Sequence, residues 1–432
     1  MRMAKQPGES TPGGRGDGYL LLLAVAMAIY VVGMGETLAW SHQKSHYWFF
    51  LAPWRTPRSL SFLVLGTAFA AAFYWGGARL RRWWPAVLTG LFVGGQLYFA
   101  GSAWRILHGS VPWGFDHPSF MFRLKEFGDL FPRVIGVYTP WWNAGIEHYA
   151  GVTSGTHGFG MLILPALKLW DPHVFYGAAL VLWFIFGFPW LAVVTLRGAG
   201  VNWAGAMCGG LLLCGVSRVF FFWMWHYGTV GASVSAMIAV PVVALGYRLA
   251  IRGRGGWGTA ALLGVCAWIM CLWTPGVVVA AGLFCGWLWN FRTWTWRANR
   301  RLLAAGALAL ALWAPYLWAM AYPASYAAKY FSVVSARPSM GAMLAGGWDR
   351  LMIGFQEWHP AILWLGLLGT LGAVPREVRR WMLPVFAGLG LLAGWSREWN
   401  PLSQFDRLII PMAAVAVFPA AVLCGRLFTP AA

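Results

Sequence analysis

Apolar runs, most of about 17 to 24 residues, alternate along the chain with polar segments, and a run of that length is long enough, as a helix, to cross ~30 Å of hydrocarbon. The runs predict spans at 19–40, 59–78, 85–104, 173–196, 203–222, 229–250, 257–274, 276–291, 302–320, 359–373, 382–395 and 408–425. The period-2 alternation of a membrane barrel is absent, and helices are the default wherever backbone groups must be paired without water. The expected fold is therefore all-α: a polytopic membrane protein with about twelve transmembrane helices. Residues 1–18, rich in Gly, Pro and polar groups, read as a disordered cytoplasmic tail, and 19–432 as one transmembrane domain.

Two polar stretches are too long for simple connections, an outer loop at 105–172 and a second at 321–358. Within the first, Phe120, Leu124, Phe127 and Phe131 recur at one-turn intervals and form a narrow apolar stripe on a helix. Asp116 and Arg123 flank that stripe, whereas Glu126 and Asp129 face away. Such a helix is expected to lie on the outer membrane surface with its apolar side down, holding Asp116 and Arg123 at headgroup depth. The run 158–170 is too short to span easily and contains Pro165, so it predicts a second interfacial or re-entrant helix.

Composition and charge sharpen this picture. The chain is 59% hydrophobic and 10% charged, with a net charge of +19. With the N-terminus inside, the basic residues concentrate in short inner loops such as Arg79–Arg82, Arg248–Arg254, Arg297–Arg301 and Arg376–Arg380. This is the bias of the positive-inside rule, so the charge reports topology and excludes nucleic acid as a partner. Both termini are then cytoplasmic, and the absence of any N-x-S/T sequon fits a bacterial inner membrane. The six Cys all fall within apolar runs and read as small hydrophobes without disulfides. All nine His and most of the acids fall in or at the rim of the outer segments, so any chemistry is expected there.

The residues DHPSFMFRLKEFGDLFP (116–132), YTPWWNAGIEHYAG (138–151), GTVGASVSAMIAVPVVALGYRLA and SQFDRLIIPMAAVAVFPAA carry a resemblance. The chain resembles the GT-C superfamily of membrane glycosyltransferases. It is similar above all to the bacterial membrane proteins described as 6-pyruvoyl-tetrahydropterin-synthase-related. The resemblance implies transfer of a sugar from a polyprenyl-phosphate carrier to a saccharide, lipid or protein acceptor on the outer face. It matches Asp116 to the loop Asp, as general base or as ligand of a divalent cation, and Arg407 to the Arg of the terminal helix.

The residue chemistry is compatible with that reading. A carboxylate can take the proton of an acceptor hydroxyl, and a departing lipid phosphate calls for positive charge. Arg123, Lys125, Arg133 and Arg407 are the candidates for binding the carrier phosphate; His117, Tyr138, Trp141, Trp142, Glu147 and His148 are those for binding substrate. Each has a plainer role open to it. Asp116 can simply cap the helix that Pro118 opens, Arg407 can snorkel, and the aromatics can form an interfacial belt. No acidic pair at a spacing of two stands in the loop to hold a cation, and His42 with His46, four apart, lacks a third ligand at fixed spacing, so no metal site is assigned. A multi-pass transporter or lipid-linked-saccharide flippase, or a non-catalytic subunit of a membrane complex, remains the alternative.

Overall fold

The structure, a computed structural model, describes residues 83–107, 117–133, 155–222, 229–288, 296–330, 339–353, 360–399 and 405–427. The chain divides into two units, Met1–Trp83 with Pro430–Ala432, and Trp84–Thr429, and nearly all described residues belong to the second. The expected tail and the first two candidate spans lie outside the described residues.

Among the described residues the fold is all-helical, with no strand. In chain order the helices are α1 (Trp84–Leu107), α2 (His117–Leu130), α3 (Thr156–Leu162), α4 (Leu164–Leu169), α5 (Pro172–Gly198), α6 (Trp203–Phe222) and α7 (Val230–Ile251). They continue as α8 (Trp257–Cys271), α9 (Thr274–Leu288), α10 (Trp296–Tyr330), α11 (Met340–Ile353), α12 (Pro360–Leu368, continued by a π turn over Gly369–Ala373), α13 (Arg376–Trp399) and α14 (Ile409–Leu427). Every candidate span that falls in the described residues is a helix. Four are long and apolar enough to cross a membrane: α5, α7, residues Asn299–Trp318 of α10, and Ile409–Arg426 of α14.

The centre is α7, buried at every position from Val230 to Gly246 and packed by α5, α8, α9 and α14. A helix apolar on every side is what a bundle interior demands. α14 is nearly as enclosed, between α6, α7 and α12. Its contact with α6 depends on the missing side chain of Gly205, where a Cβ would press on the Ala421 carbonyl.

Helix interruptions are matched by side-chain donors. In α5 the segment Val181–Gly187 is π-helical, and Pro189 has no N–H to give the Ile185 carbonyl. Gln96, buried on α1, donates to that carbonyl at 2.6 Å. Between α8 and α9 the chain turns back at Leu272–Trp273, just before Pro275. There the Ser235 hydroxyl of α7 donates to the Met270 carbonyl at 2.9 Å. Both bonds follow from the rule that buried backbone groups find partners.

The two ends of the bundle differ. At one end α5, α7 and α14 finish and α6, α8 and α10 begin. Asn202 Nδ2 donates to the Gly425 carbonyl at 2.6 Å and Arg301 donates to that of Gly255. Arg197, Arg248, Arg252, Arg254, Arg300, Arg301 and Arg426 gather at this end. α2, α3 and α4 cover the other end: Gly158 of α3 touches Val234 near the start of α7 and Ile269 near the end of α8.

Candidate functional site

The layer over that second end is built from the apolar stripe of α2. Phe120, Leu124 and Phe127 are buried, and Phe131 is half-buried just past the helix. What covers them is protein rather than lipid: α2 packs on α3, α4 and α5. Close approach is allowed by two small residues, Gly128 against Leu167 and Gly160 under the Phe127 ring. The expectation of a surface-lying helix is thus corrected. The stripe predicts an amphipathic helix, but α3–α5 offer it apolar side chains that pack as well as acyl chains would. The run 158–170 is indeed not a span; it is the pair α3 and α4, with α3 enclosed between α2, α7 and α8.

This correction moves two predicted residues inward. His117 is fully buried, and a hydrogen bond of 3.0 Å joins its Nδ1 to the Tyr176 hydroxyl of α5, the rings meeting edge to face. Arg123 is 8% exposed, its guanidinium 5.2 Å from the centre of the Phe120 ring. A cation over an aromatic face recovers part of the cost of desolvation. Arg123 was expected at headgroup depth and instead stands within the protein layer.

The wet face of α2 carries the remaining charge. Lys125 pairs with Asp171 at 3.4 Å and Asp129 at 3.9 Å, all three exposed. Lys168 of α4 donates to the carbonyls of Gly128 and Phe131, the latter at 3.5 Å, and so satisfies the C-terminal end of α2. Arg133 is exposed just beyond the helix. Arg407 is half-buried in a 3₁₀ turn, Phe405–Leu408, that opens α14 and packs on α9 and α13. Its main neighbours are thus different from those of α2. Asp116, Tyr138, Trp141, Trp142, Glu147 and His148 lie outside the described residues, as do His42 and His46.

The sequence reading counts His157 only among the histidines of the outer segments and does not single out Tyr176 or Tyr316. His157, 1% exposed at the start of α3, lies 5.2 Å from both the Phe127 and the Tyr316 rings, and Tyr316 continues to Trp268 at 6.4 Å. Gly155, with φ of +76°, turns the chain into α3 directly against Gly231, where a Cβ on residue 155 would collide with the backbone of α7. The spacing of small residues in GTHGFG was the available signal: a His flanked by glycines marks backbone brought close to another helix.

The layer therefore joins an imidazole hydrogen-bonded to a phenol, a second buried imidazole, and a buried guanidinium. These groups suit proton transfer and the binding of an anion. Among the described residues no three His, Cys, Asp or Glu side chains are grouped to hold a metal ion. No protein-family model, curated protein or solved structure matches the chain.

Proposed function

We propose that the chain is a bacterial inner-membrane protein of about twelve spans, with both termini cytoplasmic. In this reading it is a GT-C-like glycosyltransferase acting at the end covered by α2 and α3. The observation that carries the proposal is the division of polar chemistry between the two ends. Arginine-capped helix termini occupy one end, and His117, Arg123 and His157 are buried in a built layer at the other. The positive-inside rule makes the arginine end cytoplasmic, and burying a guanidinium in an apolar layer is costly enough to suggest use.

In the proposed reaction the bond between the sugar's anomeric carbon and the carrier phosphate oxygen breaks as the acceptor hydroxyl attacks that carbon. Asp116 takes the hydroxyl proton. The bonding pair leaves with polyprenyl phosphate, whose charge Arg123, Lys125, Arg133 and Arg407 are assigned to meet. Tyr138, Trp141, Trp142, Glu147, His148 and His117 are assigned to the sugar and acceptor. If a divalent cation takes part, Asp116 would help hold it, and it would supply further positive charge to the leaving phosphate.

The test is reconstitution of the full chain in vesicles with polyprenyl-phosphate-linked hexoses, reading released polyprenyl phosphate. Asp116→Asn should abolish release while leaving thermal unfolding unchanged. Release by that variant at the wild-type rate would sink the assignment. The interruptions of α5 and the α8–α9 turn favour one second reading, a flippase for the same lipid-linked saccharides, since broken helices are common in transport pathways. Movement of labelled carrier between leaflets without release would select it.

A further inference from the structure

Three guanidinium groups converge on the turn between α5 and α6. Arg197 donates to the Val201 carbonyl at 2.9 Å. Arg248, near the end of α7, lies against Gly198, and Arg252, one turn later, lies against Gly200. Gly200 has φ of +89°, and a Cβ there would come within 2.5 Å of Arg252 Nη1, so the turn is bare backbone shaped to the arginines. Arg252 is further held by the Tyr247 hydroxyl, to which its Nε donates at 3.1 Å.

No carboxylate pairs with Arg197, Arg248 or Arg252 among the described residues, although Lys125 at the other end finds two. Like charges held this close repel, and an anion between them removes that cost. The surroundings indicate which anion. The Arg197 guanidinium stands 6.0 Å from the ring of Trp203, which is 40% exposed, and Arg300 sits 5.8 Å from the exposed ring of Trp257. Exposed tryptophans beside arginines at the ends of apolar helices mark the headgroup plane, and basic pockets between such helices take anionic headgroups. Beside the same arginines, α5 exposes Val194 to whatever surrounds the bundle.

We infer that Arg197, Arg248 and Arg252, with Trp203, form a binding site for an anionic diacyl phospholipid. Its phosphate would lie among the three guanidinium groups and its acyl chains along α5 and α6. The site is separate from the α2–α3 layer. It rests on the chain spanning a membrane and not on the glycosyltransferase reading.

The experiment uses the full chain, purified in detergent and stripped of lipid, titrated with phosphatidylglycerol, phosphatidylcholine or inorganic phosphate. Bound lipid is counted by intact-complex mass spectrometry, and thermal unfolding is followed in parallel. Phosphatidylglycerol should bind and raise the unfolding temperature, and phosphatidylcholine and phosphate should not. Arg248→Gln and Arg252→Gln should each weaken phosphatidylglycerol binding about fivefold. Arg376→Gln, an equal loss of charge on α13, should leave it unchanged. The single variants guard against a triple variant that does not fold. Equal binding of phosphatidylcholine, equal stabilisation by free phosphate, unchanged affinity in both arginine variants, or equal weakening by Arg376→Gln would each overturn the proposal.

Discussion

Substituting Gly160 by Ala tests whether protein, rather than lipid, covers the stripe of α2. A Cβ at residue 160 would stand 2.6 Å from Cδ1, 2.9 Å from Cε1 and 3.2 Å from Cγ of the Phe127 ring. Ordinary contact begins near 3.4 Å, so the ring must retreat by roughly 1 Å. Phe127 is 1% exposed and already touches His157 and Phe131, which leaves the ring little room to move. Overpacking of this kind costs about 1–3 kcal/mol, against which Ala recovers up to ~1 kcal/mol of helix propensity over Gly. The net expectation is a loss of about 1–2 kcal/mol. Phe127→Leu alone leaves a void and should cost about 1 kcal/mol or more. The double variant should be less destabilised than the sum of the two by on the order of 1 kcal/mol, since the smaller side chain admits the new methyl group. Thermal or denaturant unfolding of the purified full chain and its three variants closes the cycle. Strict additivity, with Gly160→Ala no less stable than the parent, would refute the packing of α2 on α3 and restore a helix lying on lipid.

Four further outcomes follow from the same geometry. Gln96→Leu removes the donor to the Ile185 carbonyl and should lower stability by about 1–2 kcal/mol, read by unfolding in detergent. Gly276→Ala would drive a methyl group into the Met270 carbonyl and the Ser235 hydroxyl, and should reduce folded yield severely, because backbone cannot give way as a side chain can. Tyr176→Phe deprives the buried His117 of its hydroxyl partner and should cost about 1 kcal/mol or more, with a shift of the His117 resonances in NMR as the specific sign. Lys125→Met removes two exposed pairs and should change stability by no more than about 1 kcal/mol, an effect that salt erases.

How much of this was legible in the chain depends on which interactions are local. Run length placed α5 to α9, α12 and α14 well, because each is marked by its own apolar residues, but it missed α11, which lies within the expected outer loop 321–358. Pro165 and the shortness of 158–170 correctly demoted that segment from a span. The sequence over-shortened α10, which continues as helix from Trp296 to Tyr330, because its apolar stretch ends before the helix does. Periodicity also found the stripe Phe120–Leu124–Phe127, yet it cannot say what lies opposite, so Arg123 was assigned to a membrane surface. The meeting of His157 with Phe127 and Tyr316 joins residues far apart in the chain, and no spacing rule connects them. The π-helical stretch of α5 meets its side-chain donor, Gln96, from another helix.

The hairpin of α8 and α9 carries a consequence for the shape of the surrounding bilayer. Each arm has 15 residues, about 22 Å of helix at 1.5 Å per residue. A hydrocarbon core of ~30 Å is therefore too thick by about 8 Å along the exposed side of that hairpin. Hydrophobic mismatch of this size is relieved by local thinning, at a modest cost per ångström. The turn at Leu272–Trp273 lies on the side of α3, so the thinning draws the headgroup plane down there. On the proposed glycosyltransferase reading, a carrier lipid arriving at this edge would present its phosphate nearer the α2–α3 layer without its tail having to rise from the membrane.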